Sequence, residues 1–489
     1  MPDSKRPFRV IVVGGGVTGL TASHCLQKAG IDHVVLEKRA DVAPPEGASI
    51  AIYPHGARIL HQIGCLEPVK KACVPCHKWL VRGPDGKLLA ENGYFGYLEE
   101  NHGSDLLLLE RREFLQILYD GLPDKSRIKT SCGVQDIKHV PGGVQVTLSN
   151  GDVETGDMVL GCDGVYSLVR SFMWDEANKS SPDLITVKEK TTMKTRWKSL
   201  IGVAPGIPEL GERDLTVVYN KGHSVLALSQ PDRVYFFFIF RVDDPFAWPK
   251  RARYTDQDAE DLAQRFADHP VSNSMVFGEL WKRRIRGSLV PLEEGVLDHW
   301  HHGRIVLAGD AAHKVTPNIA LGGNTGIESV AVLCNHLQRM LQRSGDAKPT
   351  DADLHAVFAA YQSERHERVK QIMQLSSLIT SVQAWETPWH RFLATWVLPL
   401  QPDRASADQI GEIIRTAPKL DYVDAKGFPS GRMPWKYDGE RETEGGLKRT
   451  SKFVTGELSS GGRSSFLLLV RWLGAVAAFL VVSSLVVRG

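Results

Sequence analysis

The sequence lacks any long block of one charge sign: 59 Lys and Arg stand against 57 Asp and Glu, a net charge of +2. That balance excludes nucleic acid as the main partner, because a phosphate backbone needs a concentrated basic face. Cysteine is scarce as well. Cys25, Cys65, Cys73, Cys76, Cys132, Cys162 and Cys334 are odd in number and scattered, which excludes a disulfide framework and fits reduced thiols facing the cytosol. Cys73 and Cys76 form a single C-x-x-C, and a four-thiolate zinc site needs a second pair that is missing, so no metal is expected. No repeat of solenoid length is present. Met1 to Arg9 is polar, and the apolar run after it is short and broken by glycines, so no secretory leader is expected.

What is there begins with FRVIVVGGG, an apolar strand running into a Gly-rich turn, then VTGLTASHCLQKAG at helical spacing, then the apolar strand HVVLEK. Strand, helix and strand in about thirty residues make a βαβ unit, and with it a parallel sheet. The fold class is therefore α/β, a dinucleotide-binding domain in two pieces, 1–175 and 295–345. Between them, residues 176–294 turn to short alternating or aromatic runs such as DLTVVY, SVLALS and RVYFFFIF, the texture of a mostly antiparallel sheet domain. Residues 346–425 read as helices interrupted by Pro388, Pro399 and Pro402. The aromatic stretch at 385–400 reads first as internal packing and second as a segment that dips into a membrane interface. Residues 426–465 are polar and read as a linker. From Phe466 to Val487 the chain is apolar apart from Arg471, Ser483 and Ser484, and as a helix it spans roughly 33 Å, enough to cross a bilayer core. A single-pass anchor over 466–488 is expected, with Lys448, Arg449, Lys452 and Arg463 keeping the preceding body on the cytosolic side, on the endoplasmic reticulum.

The chemistry starts at Gly14, Gly16 and Gly19, a G-x-G-x-x-G between strand and helix, followed eighteen residues later by Glu37 at the end of the next strand. Gly14 permits the tight turn, Gly16 lets backbone approach a pyrophosphate, Gly19 lets helix and strand pack, and Glu37 can accept from a ribose diol. The resident nucleotide is thus FAD or NAD rather than NADP.

Three later segments, LERREFLQIL, DMVLGCDGVYSLVR and GRIVLAGDAAHKVTPN, keep the order and approximate spacing of the class A flavoprotein monooxygenases. Over residues 8 to 345 the chain resembles that family, and within it the membrane-tethered fungal epoxidases and hydroxylases of terpenoid, meroterpenoid and indole-diterpene pathways. The resemblance implies noncovalent FAD, with NADPH or NADH as a transient reductant, and O2 activation through a C4a-hydroperoxyflavin. Carried over residue by residue, it implies that Glu37 binds the adenosine ribose and that Ala51 offers backbone to the cofactor. Arg112 then reaches the central phosphate and ribityl region, Asp163 organises the groove, Asp310 bonds the ribityl chain, and Gly322 and Gly323 flank the flavin. Asp163 reads equally well as a helix cap. Where relatives have Gly and Gln, this chain has Ala320 and Leu321, which stiffens the backbone and sets apolar bulk near the flavin face.

Arg196 and Tyr219 occupy positions where relatives orient substrate, Tyr235 is a weaker third choice, and His313 reads as structural. A lipophilic, prenylated or terpenoid substrate and a membrane are the expected partners beside O2, and no protein partner is inferable. An FAD-dependent reductase of isoprenoid double bonds and a non-catalytic flavin-binding membrane protein are the alternatives, while the W-x-W-x-I-P signature of halogenases is absent.

Overall fold

The strand Arg9–Val13 is almost wholly buried, as a run of Val and Ile must be when helices cover both faces of a parallel sheet. A computed structural model describes residues 6–345 and 347–436. Arg9–Val13 pairs in parallel with Asp32–Leu36 on one side and Met158–Gly161 on the other. Ile128–Lys129 and Ile305–Leu307 extend this sheet outward, and His301–His302 closes it as an antiparallel edge. Residues 295–345 thus return to the sheet that the first residues open, as expected of a nucleotide-binding fold split in sequence.

The second large sheet has eight strands. Lys194–Pro205 and Arg233–Ala247 form its centre, and Arg286–Val296, His223–Gln230 and Asp214–Tyr219 continue it antiparallel. Its far edge, Lys78–Arg82 and Leu88–Asn92, comes from well before residue 176, with Lys78–Arg82 joining Asp214–Tyr219 in parallel. One face packs as an aromatic cluster, with Phe238 against Phe240 at 4.3 Å and against Phe277 at 4.5 Å. At its near edge His313–Lys314 pairs with Gly295 and Val296. That short ladder joins the large sheet to the turn that leaves Ile305–Leu307.

Two long helices brace the arrangement. Gly322–Ser344 is buried along most of its length, and Asp351–Gln383 lies against it, its start fixed by a capping box between Thr350 and Asp353. Glu328, fully buried, joins them: Arg365 Nη1 donates to Oε2, and Arg368 donates to both carboxylate oxygens at 2.8 Å. His55 Nε2 stands 3.2 Å away. Burial works against a charge at Glu328, but Arg368 and then Arg365 outweigh it and hold the carboxyl well below the ordinary range.

Two expectations need correction. The segment from 426 to 436 is no free linker: Arg432 N–H donates to Glu100 O at 2.9 Å, Met433 N–H to Asn101 O at 2.8 Å, and Trp435 is buried under the Arg58 guanidinium. Its backbone donors find partners on the helix Tyr94–His102, which polar composition alone does not reveal. The aromatic stretch 385–400 is only half core, since Leu393, Ala394 and Val397 are buried while Trp389, Trp396 and Leu400 are exposed. The rest of the expected linker and the apolar run at 466–488 lie outside the described residues. Among the described residues no helix is long and apolar enough to cross a membrane.

Replacing Glu328 by Gln leaves two arginines beside a neutral amide, so unfolding free energy should drop by about 3–5 kcal/mol in urea titration. Because the carboxyl is held low, its stabilising contribution is complete above the ordinary Glu range and is lost progressively as pH falls from that range toward its lower folded value. A Gln variant as stable as the parent at pH 7 would show that the network does not brace the helices.

Candidate active site

Gly14 has φ +104°, and a Cβ there would lie 2.5 Å from Cys162 O, so the turn closes directly on the neighbouring strand end. At Gly19 a Cβ would lie 1.8 Å from Gly14 O, which is why helix Val17–Lys28 can pack against the strand it follows. Gly16 differs. A Cβ there meets nothing within 4 Å, and Gly16 caps that helix without any side-chain hydrogen bond. The first-turn N–H groups therefore face open space, a cradle suited to a pyrophosphate. Glu37 borders it, accepting from Gly15 N–H at 2.7 Å through Oε2 and from Arg39 N–H at 2.9 Å through Oε1. These bonds fix the carboxylate and leave further lone pairs for a diol.

The Gly309–Ala311 turn meets this cradle through Thr18. Positions for a Cβ at Gly309 and at Gly326 lie 2.4 and 2.7 Å from Thr18 Oγ1, so the turn, the first helix and helix Gly322–Ser344 converge on one side chain. Arg170 supports the turn by donating to Ala311 O at 2.9 Å, a role the sequence did not signal. Asp310 accepts from Lys314 Nζ at 2.7 Å. Burial opposes both charges. For Asp310 the Lys314 ammonium prevails and lowers the carboxyl, and for Lys314 the carboxylates of Asp310 and Glu293 prevail and raise the amine. Glu293 also accepts from the Tyr166 hydroxyl, so a chain of charged and polar groups leads from the sheet to the turn.

Helix Gly322–Ser344 starts at Leu321 with no side-chain cap, so Gly322 and Gly323 open a second uncapped N-terminus. Asn324 holds that end in place. Its Oδ1 accepts from Tyr53 N–H at 3.0 Å, and its Nδ2 donates to Ala51 O and Ala320 O, both at 2.9 Å. Ala51 thus gives one lone pair of its carbonyl to Asn324. Ala320 sits at φ +53°, a left-handed conformation that costs an L residue roughly 1–2 kcal/mol and that glycine adopts freely. Leu321 is completely buried, so it is core and not bulk on an open face, contrary to the sequence reading.

Other expected residues land elsewhere. Arg112 is exposed, its Nε donating to Ala43 O at 3.0 Å. Its neighbour Arg111 points inward, where burial lowers its pKa and the charges of Glu46, Asp310 and Glu37 act on it. Successive residues at a helix start diverge by about 100°, so the two arginines face different ways, and Arg111 rather than Arg112 lies toward Glu37 and Asp310. Asp163 gives its oxygens to Ser167 Oγ at 2.5 Å, Leu168 N–H at 2.7 Å and Val169 N–H at 3.1 Å. It caps the helix Leu168–Ser180 directly beneath the Gly14 turn. Arg196 is tied to Glu386 at 2.8 Å and lies 3.6 Å from Glu294, an ion pair that braces the large sheet against the segment after Gln383.

Tyr219 is buried with burial alone raising its phenol pKa. The loop after it is held by helix Asp351–Gln383: Asn220 N–H donates to Gln383 O at 3.3 Å, and Gly222 N–H to Ala384 O at 2.7 Å. Gln383 Oε1 also accepts from Asn318 Nδ2 at 2.5 Å, so Gln383 joins the Tyr219 strand end to the Pro317–Ile319 turn. Nothing in the sequence pattern marked Gln383 for this. Tyr235 sits among Arg233, Glu110 and Glu113. His313 bonds Ser329 Oγ at 2.9 Å and packs on Trp300, a structural role as expected.

The profile of a family described as "FAD binding domain" matches residues 8–376. The chain is 40% identical over 486 residues, 97% of its own length and 93% of the other, to FAD-dependent monooxygenase DEP2 of Fusarium langsethiae. It is 36% identical to FAD-dependent monooxygenase atmM of Aspergillus flavus, covering 86% of this chain and 88% of that one. Among solved structures, Klebsiella pneumoniae HpxO complexed with FAD and uric acid aligns at a TM-score of 0.68 with 19% identity, over 84% of this chain and 97% of that one. CtdE in complex with FAD and a substrate aligns at 0.62 with 17% identity, over 83% and 99%.

Gly16→Val should fold normally yet purify without yellow flavin absorbance, because its side chain enters only the open cradle. Arg111→Ala should weaken FAD retention by roughly tenfold, as expected for one charge-assisted contact, and Arg112→Ala should leave it unchanged. Equal effects of the two arginines in a flavin-release titration would refute the assignment. His55 and His313 are both held neutral, burial being the largest cause, at a pKa of about 3 against the ordinary 6.5. Below pH 6.5 the unfolded chain takes up protons that the folded chain refuses. Stability should therefore fall by about 1.4 kcal/mol per pH unit for each histidine until pH nears their folded values. His313→Gln should flatten that slope.

Proposed function

This chain belongs to the FAD-binding-domain family, as an FAD-dependent monooxygenase of fungal secondary metabolism, and on that premise we propose that it places one oxygen atom, by epoxidation or hydroxylation, on a lipophilic prenylated or terpenoid metabolite. One observation carries the reading: the glycine cradle, the Asp310 turn and a second uncapped helix N-terminus converge on Thr18 beside the eight-stranded sheet. Bound FAD supplies the redox chemistry there, accepting electrons from NADPH or NADH and delivering one atom of O2 to the substrate.

The chain's own residues bind, orient and exclude water. The N–H groups after Gly16 hold the pyrophosphate, Glu37 the adenosine ribose, Arg111 the phosphate region and Asp310 the ribityl chain. The N–H groups at Gly322 and Gly323 would offer positive partial charge to the negative charge of a reduced isoalloxazine held there. Lys314 neutralises Asp310, so the turn adds no repulsive charge beside that anion. With a single Gly-rich βα unit in the sequence, the nicotinamide cofactor binds briefly and leaves. Tyr219, buried beside the Gln383 junction, orients the substrate through its phenol. Oxygen transfer to an alkene needs no protein base, which agrees with a site built from backbone donors.

The apolar run at 466–487 supports a membrane-bound enzyme, on the endoplasmic reticulum with its body in the cytosol, and a substrate that partitions into lipid. Assayed with NADPH and a pool of prenylated polyketides or indole diterpenes, the enzyme should give a product heavier by one oxygen, with O2 uptake matching NADPH consumption. NADPH consumption and saturated product without O2 would mark a reductase, and turnover confined to soluble phenols would reject the lipophilic substrate. Tyr219→Phe should keep its flavin and lose about tenfold in kcat/KM, the worth of one substrate hydrogen bond.

A further inference from the structure

Beyond the long helix Asp351–Gln383 the chain turns at Trp385 and enters a second helical segment. It runs as α over Pro388–Phe392, widens to a π turn over Leu393–Val397 and tightens to 3-10 over Leu398–Leu400. Its inward side is ordinary core, Leu393, Ala394 and Val397. Its outward side is not ordinary surface. Trp389 is 49% exposed, Trp396 65% and Leu400 76%. Trp389 and Phe392 stack at 5.4 Å. Two tryptophans and a leucine are thus exposed within residues 389–400 of one short segment, a local concentration of apolar surface of the kind that marks an interaction site.

The charge around the strip indicates the partner. From Thr387 to Gln401 the segment has no Asp or Glu and carries His390 and Arg391. Lys221 stands on the loop whose Gly222 N–H is held by Ala384 O. Tryptophan rings backed by cations match the boundary between acyl chains and anionic headgroups, where indoles bury their carbon face and keep N–H near water.

The strip follows directly on residues that reach the rim of the site. Glu386, just before it, pairs with Arg196 at 2.8 Å and Arg241 at 3.4 Å on the large sheet, and Gln383 reaches Asn318 and the loop after Tyr219. We propose that residues 388–400 form a membrane-docking strip that seats Trp389, Trp396 and Leu400 in the lipid headgroup boundary and presents the Tyr219 side of the site to the bilayer. The inference rests on the membrane-bound reading above and adds a second, peripheral contact to it. A lipophilic substrate would then pass from the bilayer without crossing water.

The test uses the full chain reconstituted into phosphatidylcholine–phosphatidylserine vesicles whose acyl chains do or do not carry bromine, a short-range quencher of tryptophan fluorescence. Trp472, inside the apolar run at 466–487, reports that run independently. Bromolipid quenching should persist in Trp472→Phe and fall severalfold when Trp389→Phe and Trp396→Phe are added to it, while flavin content stays unchanged. Quenching abolished by Trp472→Phe alone overturns the docking strip and leaves the anchor standing. No quenching in the parent overturns both. Lipid-independent burial of Trp396 that grows with protein concentration assigns the strip to a second copy and also overturns the proposal.

Discussion

A buried carboxylate holds this molecule in register. Glu328 has two guanidinium partners on the facing helix and is sealed from water, so the helices Gly322–Ser344 and Asp351–Gln383 cannot slide without uncovering a charge. Arg368 carries the constraint further, donating to Ile413 O at 2.8 Å and Thr416 Oγ1 at 3.1 Å. The same helix contributes Ser376 and Thr380, which both reach Thr316 at 2.8 Å, and Thr380 also reaches Asn318 at 2.8 Å. The turn that precedes Gly322 is thereby tied to the element that Glu328 pins. The direction of the Gly322 helix end, which the proposed flavin electrostatics needs, follows from an ion network remote from any substrate.

Acidic charge in the site is partnered before any ligand arrives. Asp310 meets Lys314, Glu293 meets the Tyr166 hydroxyl and faces Lys314, and Glu37 spends part of both oxygens on backbone N–H groups. Free hydrogen-bonding capacity is left mainly to backbone donors at two helix starts. Such donors are rigid and need no reorganisation as charge develops on a bound ring, which suits a fold whose reactive chemistry belongs to its cofactor.

What sequence reading missed shares one character. Motif LERREF located the correct helix start but not which of two adjacent arginines turns inward, a matter of helix phase against Gly47 and Glu46. Arg196 stood where a substrate contact was expected, and its partner Glu386 lies 190 residues away, on a segment whose position depends on a 33-residue helix. Residues 426–436 look like linker by composition and are fastened backbone to backbone to the helix Tyr94–His102. Gln383 carries no periodic or motif signal that separates it from any other amide.

Sequence alone determined the local units and their chemistry: the strand, glycine turn and helix with Glu37 behind it, the split nucleotide-binding fold, the antiparallel character of the middle region and the FAD-dependent family. These depend on spacing along the chain, and spacing is written in the residues. Tertiary structure decided which arginine faces the groove, that Ala51 and Leu321 serve the protein's interior, that Arg196 braces and that Trp396 meets solvent. Each of those outcomes depends on contacts between residues far apart in sequence, whose burial and pairing exist only after the two long helices have closed around Glu328.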